Sequence, residues 1–281
     1  MQKVRFYDKI LYEVENGDIS MGKIISFVNQ KGGVGKTTSS INLAASLGVL
    51  NKKTLLIDLD PQGNSTTGLG IPKTSYNKSV HDLMIDNATI EEVIIKTKFK
   101  NLYMIPSTVN LAGVGLELVE MARQDKTFDK TGQLKKHLEL AKNTFDYIII
   151  DCPPSLELTT NNALAASDSV IIPVQCEFFA LEGIMQLINT IMFAQKNLNP
   201  ALDIEGVLLT MLDNRTNLGI EVVEDVKSYF KERVYDTIIP RLVKISEAPS
   251  HGKPIIAYDP HGRGTEAYLN LAKEVIKRNG K

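Results

Sequence analysis

The run Lys31-Gly32-Gly33-Val34-Gly35-Lys36-Thr37-Thr38 constrains this chain more than any other stretch, because of what stands on either side of it. Before it lies the apolar, β-type run Ile24-Ile25-Ser26-Phe27-Val28, and after it Ile41 to Leu47 is spaced as a helix. A strand that enters a glycine loop and leaves it as a helix predicts a βα unit of a parallel sheet. Glycine lets the backbone turn tightly and bring N–H groups close to an anion, and the new helix adds unpaired N–H groups and the positive end of its dipole. The loop is therefore read as a cradle for nucleotide phosphates, built from Gly32, Gly33, Val34, Gly35 and Thr38. Lys36 is placed to reach the β and γ phosphates and the Thr37 hydroxyl to ligate Mg²⁺.

The rest of the chain repeats the same alternation. Apolar runs at Thr54 to Asp60, Asn101 to Pro106, Tyr147 to Asp151, Ser169 to Val174, Ile204 to Leu212 and Tyr235 to Ile239 read as strands. Helical patterns fall at Val80 to Ile95, Val114 to Arg123, Gln133 to Lys142, Leu181 to Lys196, Ile220 to Glu232 and Thr265 to Lys277. Continuous apolar strands alternating with helices predict one α/β domain: a mostly parallel twisted sheet with helices on both faces. Ligands of such sheets bind beyond the carboxyl ends of the strands, where the glycine loop, Asp60, Asp151 and Pro240 are expected to line one edge.

An ordinary phosphate loop carries a glycine where this chain has Gln30, and a second lysine, Lys31, opens the loop instead. This pattern resembles the deviant Walker A loop of the ParA/MinD superfamily of ATPases, which implies a P-loop NTPase-like fold with ATP and Mg²⁺ as cofactors. Asp58-Leu59-Asp60-Pro61-Gln62-Gly63-Asn64 is similar to the family's switch I, which implies that Asp60 orients the attacking water and shares the Mg²⁺ shell. Asp151-Cys152-Pro153-Pro154-Ser155 resembles its Walker B and switch II, which implies that Asp151 serves the metal. Lys31 corresponds to the signature lysine, which acts in a partner's active site when two ATP-loaded subunits dock. The resemblance thus gives Lys31, Lys36 and Asp60 catalytic roles.

Ile239-Pro240-Arg241-Leu242 looks like the family's Ile-Pro-Arg-Asn segment, which implies that Pro240 and Arg241 border the adenine; Leu242 departs from the usual Asn. Arg215 and Lys244 match basic residues that contact DNA in chromosomal Soj/ParA relatives. The implied partners are a second copy of the chain, duplex DNA bound without sequence preference and a ParB/Spo0J-type centromere-binding protein that stimulates hydrolysis. The cargo, chromosome or plasmid, stays open.

With 32 basic and 33 acidic side chains, net charge is near zero, so contact with nucleic acid has to come from a local patch. No apolar run approaches the roughly eighteen residues that span a bilayer, and the N-terminus lacks a secretory core. A cytoplasmic, nucleoid-associated protein with no membrane partner is expected. Cys152 and Cys176 sit in apolar runs and read as buried free thiols rather than ligands of an iron–sulfur cluster, as a related class of iron proteins would need. A membrane-bound division-site ATPase of the MinD type would need a basic amphipathic C-terminal helix on lipid. Here Tyr268, Leu271, Ala272, Val275 and Ile276 are read instead as the core face of the last helix. Residues 1–20 are expected to be an extension, packed on the domain or added by an upstream start codon, with the ATPase domain spanning 21–281.

Overall fold

A computed structural model describes residues 21–177, 180–213 and 215–280; the N-terminal extension lies outside the described residues. Seven strands form one sheet: β1 (Lys23–Phe27), β2 (Thr54–Asp58), β3 (Ile95–Lys96), β4 (Leu102–Ile105), β5 (Tyr147–Asp151), β6 (Ser169–Gln175) and β7 (Asp203–Thr210). Their order is β3-β4-β2-β5-β1-β6-β7, parallel throughout except for the short edge strand β3.

Side-chain alternation explains why both faces are covered. Ile24, Leu55, Ile57, Ile148, Ile150, Val170 and Ile172 point to one face, where they join Val80, Leu118, Leu138, Ile191 and Val226. Ile25, Phe27, Leu56, Tyr147, Ile149 and Ile171 point to the other and meet Leu43, Leu47, Leu271 and Val275. Strands apolar on both sides cannot leave either face in water, so helices must flank the sheet. The first face carries α3 (Val80–Met84), α4 (Ile90–Val93), α5 (Val114–Gln124), α6 (Gln133–Ala141), α7 (Leu158–Ala166), α8 (Ala180–Asn197) and α9 (Asn217–Phe230). The second carries α1 (Lys36–Val49), α10 (Val243–Glu247), α11 (Ile255–Tyr258) and α12 (Arg263–Arg278), while the short α2 (Asn64–Gly68) follows β2.

The last helix settles one expectation. Tyr268, Leu271, Ala272 and Val275 of α12 are buried, with Ile276 packed against them, so that stripe is core. Lifting it onto lipid would uncover the α1 and sheet side chains it packs against, at about 2 kcal/mol for each large one left in water. Among the described residues no helix is long and apolar enough to cross a membrane.

Two expected elements differ. The helix expected from Val80 to Ile95 is two short helices, because Asp86 adopts a left-handed φ of 57° between them. Each piece has its own capping box, Ser79 with Asp82 and Thr89 with Glu92. The strand expected from Tyr235 to Ile239 forms no regular ladder with β7: the Tyr235 and Ile239 N–H groups donate to the Val207 and Leu209 carbonyls at 3.0 and 2.9 Å, and isolated bridges flank the segment, Val207 with Val234 and Leu212 with Pro240. The carboxylate of Glu274 on α12 accepts the N–H groups of Asp236 and Thr237 at 3.0 and 3.1 Å, which interrupts a ladder with β7. Pro240 therefore follows a bridged loop and not a regular strand.

Candidate nucleotide site

The glycine loop leaves β1 between β5 and β6 and is fastened at both ends. Asn29 donates its Nδ2 to the Pro173 carbonyl of β6 at 2.8 Å and accepts the Lys31 N–H on Oδ1 at 2.9 Å. Further along, the Thr210 hydroxyl at the end of β7 donates to the Val34 carbonyl at 2.9 Å. Gly35 has φ 85°, which a side chain would strain. The Gly32 and Gly33 backbone faces open space, where a Cβ would meet nothing within 4 Å.

The two lysines occupy different environments. Lys36 opens α1, is buried, and donates its amine to the Lys31 carbonyl at 3.0 Å. Burial pulls this amine below its ordinary value, with Asp151 the largest opposing influence. Lys31 is half-exposed, and its Nζ lies 3.5 Å from Glu177 just after β6. An ion pair so open to solvent is worth at most about 1 kcal/mol and is readily surrendered.

Across the sheet, Phe27, Asp58 and Asp151 stand side by side at the ends of β1, β2 and β5. Asp151 is fully buried and accepts the Ser65 hydroxyl on Oδ2 at 2.7 Å, while Oδ1 has no hydrogen-bond partner among the described residues. Burial pushes its carboxyl up to about 6, with the Ser65 hydrogen bond the largest opposing influence. Asp58 accepts the Thr66 N–H and hydroxyl at 2.8 and 2.7 Å, and burial followed by the charge of Asp151 pushes it up to about 7. Asp60 caps the next turn by accepting the Gln62 N–H at 2.9 Å.

A raised carboxyl favours the protonated fold. The stability it contributes is complete below the ordinary carboxylate value and is lost as pH climbs from about 4 through about 7. Asp58→Asn keeps the side chain neutral at every pH. The nucleotide-free wild type should therefore lose melting temperature between mildly acidic and mildly alkaline buffer, and Asp58→Asn should flatten that slope in calorimetry. Equal slopes would show that Asp58 carries no such burden.

These residues fit a magnesium nucleotide. An orphaned buried carboxylate oxygen, a buried amine and a glycine loop with open backbone are the groups such a ligand uses. Among the described residues no group of three or more His, Cys, Asp or Glu side chains converges to hold a metal alone. Mg²⁺ does not require one, since it keeps waters and leans on substrate phosphates.

Pro240 and Arg241 lie beside the loop after β7, where the Arg241 N–H donates to the Leu212 carbonyl at 3.0 Å. An open groove of about 530 Å³ runs between Leu212, Ile238 and Pro240 on one wall and Arg263, Glu266 and Asn270 on the other. It borders Pro240, whereas Lys36 and Asp151 do not line it. Arg215 is exposed and clasps Asp213 with Nε and Nη2 at 2.9 and 2.6 Å, which holds the Asp213 carboxyl far below its usual range; Arg241 adds to that effect. Lys244 is exposed and pairs with Asp259 at 3.0 Å. Cys152 and Cys176 are free and buried, as expected. Ser65 and Thr66 had no place in the sequence reading, and Asn29 and Thr210 stood in it only as ends of longer stretches with no role of their own, though the Ser65-Thr66-Thr67 cluster just after switch I was a visible hint.

A glycine loop between β1 and α1, with acids ending the neighbouring strands, defines the P-loop class of α/β nucleotide-binding proteins. A family model described as an AAA domain matches residues 22–204. Sporulation initiation inhibitor protein Soj of Bacillus subtilis (strain 168) is 59% identical over 91% of this chain and 98% of its own. Chromosome partitioning protein ParA of Myxococcus xanthus is 48% identical, covering 94% of this chain and 92% of its own. Among solved structures, cobyrinic acid a,c-diamide synthase from Mycobacterium smegmatis with a bound ATP analogue and magnesium superposes with a TM-score of 0.79. It is 31% identical and covers 92% of this chain and 96% of its own. The chain belongs to the Soj/ParA family of chromosome-partitioning proteins, within the ParA/MinD group.

Proposed function

We propose that this chain is a cytoplasmic, nucleoid-associated ATPase that partitions DNA, and that residues 21–281 form its working domain. ATP with Mg²⁺ joins two copies, the joined pair binds duplex DNA without sequence preference, and a ParB-type partner stimulates the hydrolysis that releases it. The observation that carries this reading is the pair of lysines: Lys36 is buried beside Asp151, while the Lys31 amine stands at the loop mouth, paired among the described residues with the solvent-exposed Glu177. A lysine with no task beside its own phosphates is free to serve a neighbour's. The kinship with partitioning proteins, and the ATP analogue and magnesium in the M. smegmatis structure, support it.

In this reading Mg²⁺ neutralises charge between phosphate oxygens. Thr37 and Asp151 hold the ion, Asp60 shares in its shell and orients the attacking water, and the loop from Lys31 to Thr38 binds phosphates through its N–H groups. Lys36 stabilises the β and γ phosphates. Lys31 crosses to the partner's site and offsets charge that grows in the transition state. Pro240 and Arg241 border the base. Arg215 and Lys244, released from Asp213 and Asp259, contact DNA phosphates, which gives affinity without sequence reading and a steep dependence on salt.

Phosphate release measured with DNA, with a ParB-type protein, and with both should show strong stimulation only when both are present. In the Arg215→Ala, Lys244→Ala double variant, DNA binding should weaken at least tenfold at moderate salt and the joint stimulation should be lost. Binding that ignores both salt and the double substitution would exclude this DNA surface.

A further inference from the structure

We propose that Thr210 is a positioning residue of the phosphate loop: by holding the Val34 carbonyl, its hydroxyl aims the Gly35 N–H at the bound phosphates. This rests on the nucleotide-binding reading given above and deepens it. Thr210 is the last residue of β7, two strands away from β1, and it is buried. Its hydroxyl donates to the Val34 carbonyl at 2.9 Å across 176 residues of sequence. Its Cβ and Cγ2 also lie under Gly35, each 3.8 Å from where a Cβ of that glycine would stand. The link is therefore both a hydrogen bond and a packed contact.

Its consequence follows from peptide geometry. Among the described residues every peptide bond is trans, so the carbonyl of Val34 and the N–H of Gly35 point in opposite directions from one rigid plane. Drawing the carbonyl toward β7 turns the N–H away from β7, toward the side of β1 where β5 and Asp151 stand. Without the hydroxyl, this buried carbonyl has to turn to find another donor, and the N–H turns with it. A glycine at φ 85° offers little resistance to that rotation, so the restraint must come from outside the loop.

Thr210 is also continuous with the segment that carries Arg215. Met211 follows with a left-handed φ of 55°, its Cε 3.5 Å from the same Gly35 position. Leu212 then accepts the Arg241 N–H, and Asp213 clasps Arg215. A shift of the loop thus has a packed route to the basic segment.

The test is titration calorimetry of Mg·ATP into the full chain as wild type, Thr210→Val and Thr210→Ser. Valine keeps the β-branched shape that suits a strand and deletes only the donor. Thr210→Val should bind about tenfold more weakly, the worth of one hydrogen bond. Thr210→Ser should restore affinity to within about twofold of wild type, which a purely packing role for the methyl group would not do. If the valine variant does not fold, Thr210→Ala is compared with Thr210→Ser in its place. Unchanged affinity on loss of the hydroxyl, or a serine variant as weak as the valine one, would overturn the proposal. A wild type that fails to bind Mg·ATP would instead overturn the nucleotide-binding reading on which it rests.

Discussion

Lys31→Ala should cut partner-stimulated phosphate release by on the order of a hundredfold, the typical cost of removing one preorganised donor from a phosphoryl-transfer or oxyanion site. Nucleotide binding itself should survive, because Lys36 and the loop backbone remain. The reasoning starts from two amines that share one loop and live in different surroundings. Lys36 is buried with Asp151 beside it, whereas Lys31 reaches outward to Glu177 through an exposed contact of 3.5 Å. Such a contact barely competes with a phosphate in a closed interface. The same substitution should weaken association of the ATP-bound copies. Unchanged turnover together with unchanged ATP-dependent association would remove Lys31 from the mechanism.

Asp60→Ala should leave nucleotide affinity within a few-fold of wild type and reduce hydrolysis to background. Asp60 sits on the turn after β2, near enough to Asp151 and Lys36 to perturb both, yet it is neither buried nor tied into the core as Asp58 is. A carboxylate of that kind is free to hold a water, and its loss removes orientation without opening a cavity. The variant should accumulate with ATP uncleaved and stay joined. Normal phosphate release would assign the task to another residue, with Asp58 the nearest carboxylate along the strand.

Much of this architecture was legible because parallel strands buried on both faces are written as unbroken apolar runs. Ile24 to Phe27, Leu55 to Ile57 and Ile148 to Ile150 lie in the sheet as expected. The helix α7 went unseen because its sequence, Leu158-Thr159-Thr160-Asn161-Asn162, is rich in residues that favour caps and turns over helix interiors. Tertiary bonds override that preference: Asn162 donates to the Lys130 carbonyl and accepts the Leu134 N–H. The break at Asp86 was hidden by apolar spacing that runs on across it, while the strand expected at Tyr235 was lost to a carboxylate 38 residues away.

The candidate site divides along the same line. Lys36 and Thr37 were picked out by the spacing of the loop, and Lys31, Asp60 and Asp151 by the likeness of short local motifs to those of the family, since the loop and the strand ends are short-range features. The bonds that fix the loop's shape, from Asn29 to Pro173 and from Thr210 to Val34, join residues 144 and 176 positions apart. No local pattern announces them. The burial that raises Asp58 and Asp151 is likewise a property of the sheet and not of the motif.

The central claim is that the terminal phosphate of ATP holds two copies of this chain together, and the most direct measurement is the mass of the Asp60→Ala protein by light scattering. In saturating ATP and magnesium the account predicts twice the mass of one chain, reverting to a single chain in ADP. A single-chain mass in both nucleotides would contradict it.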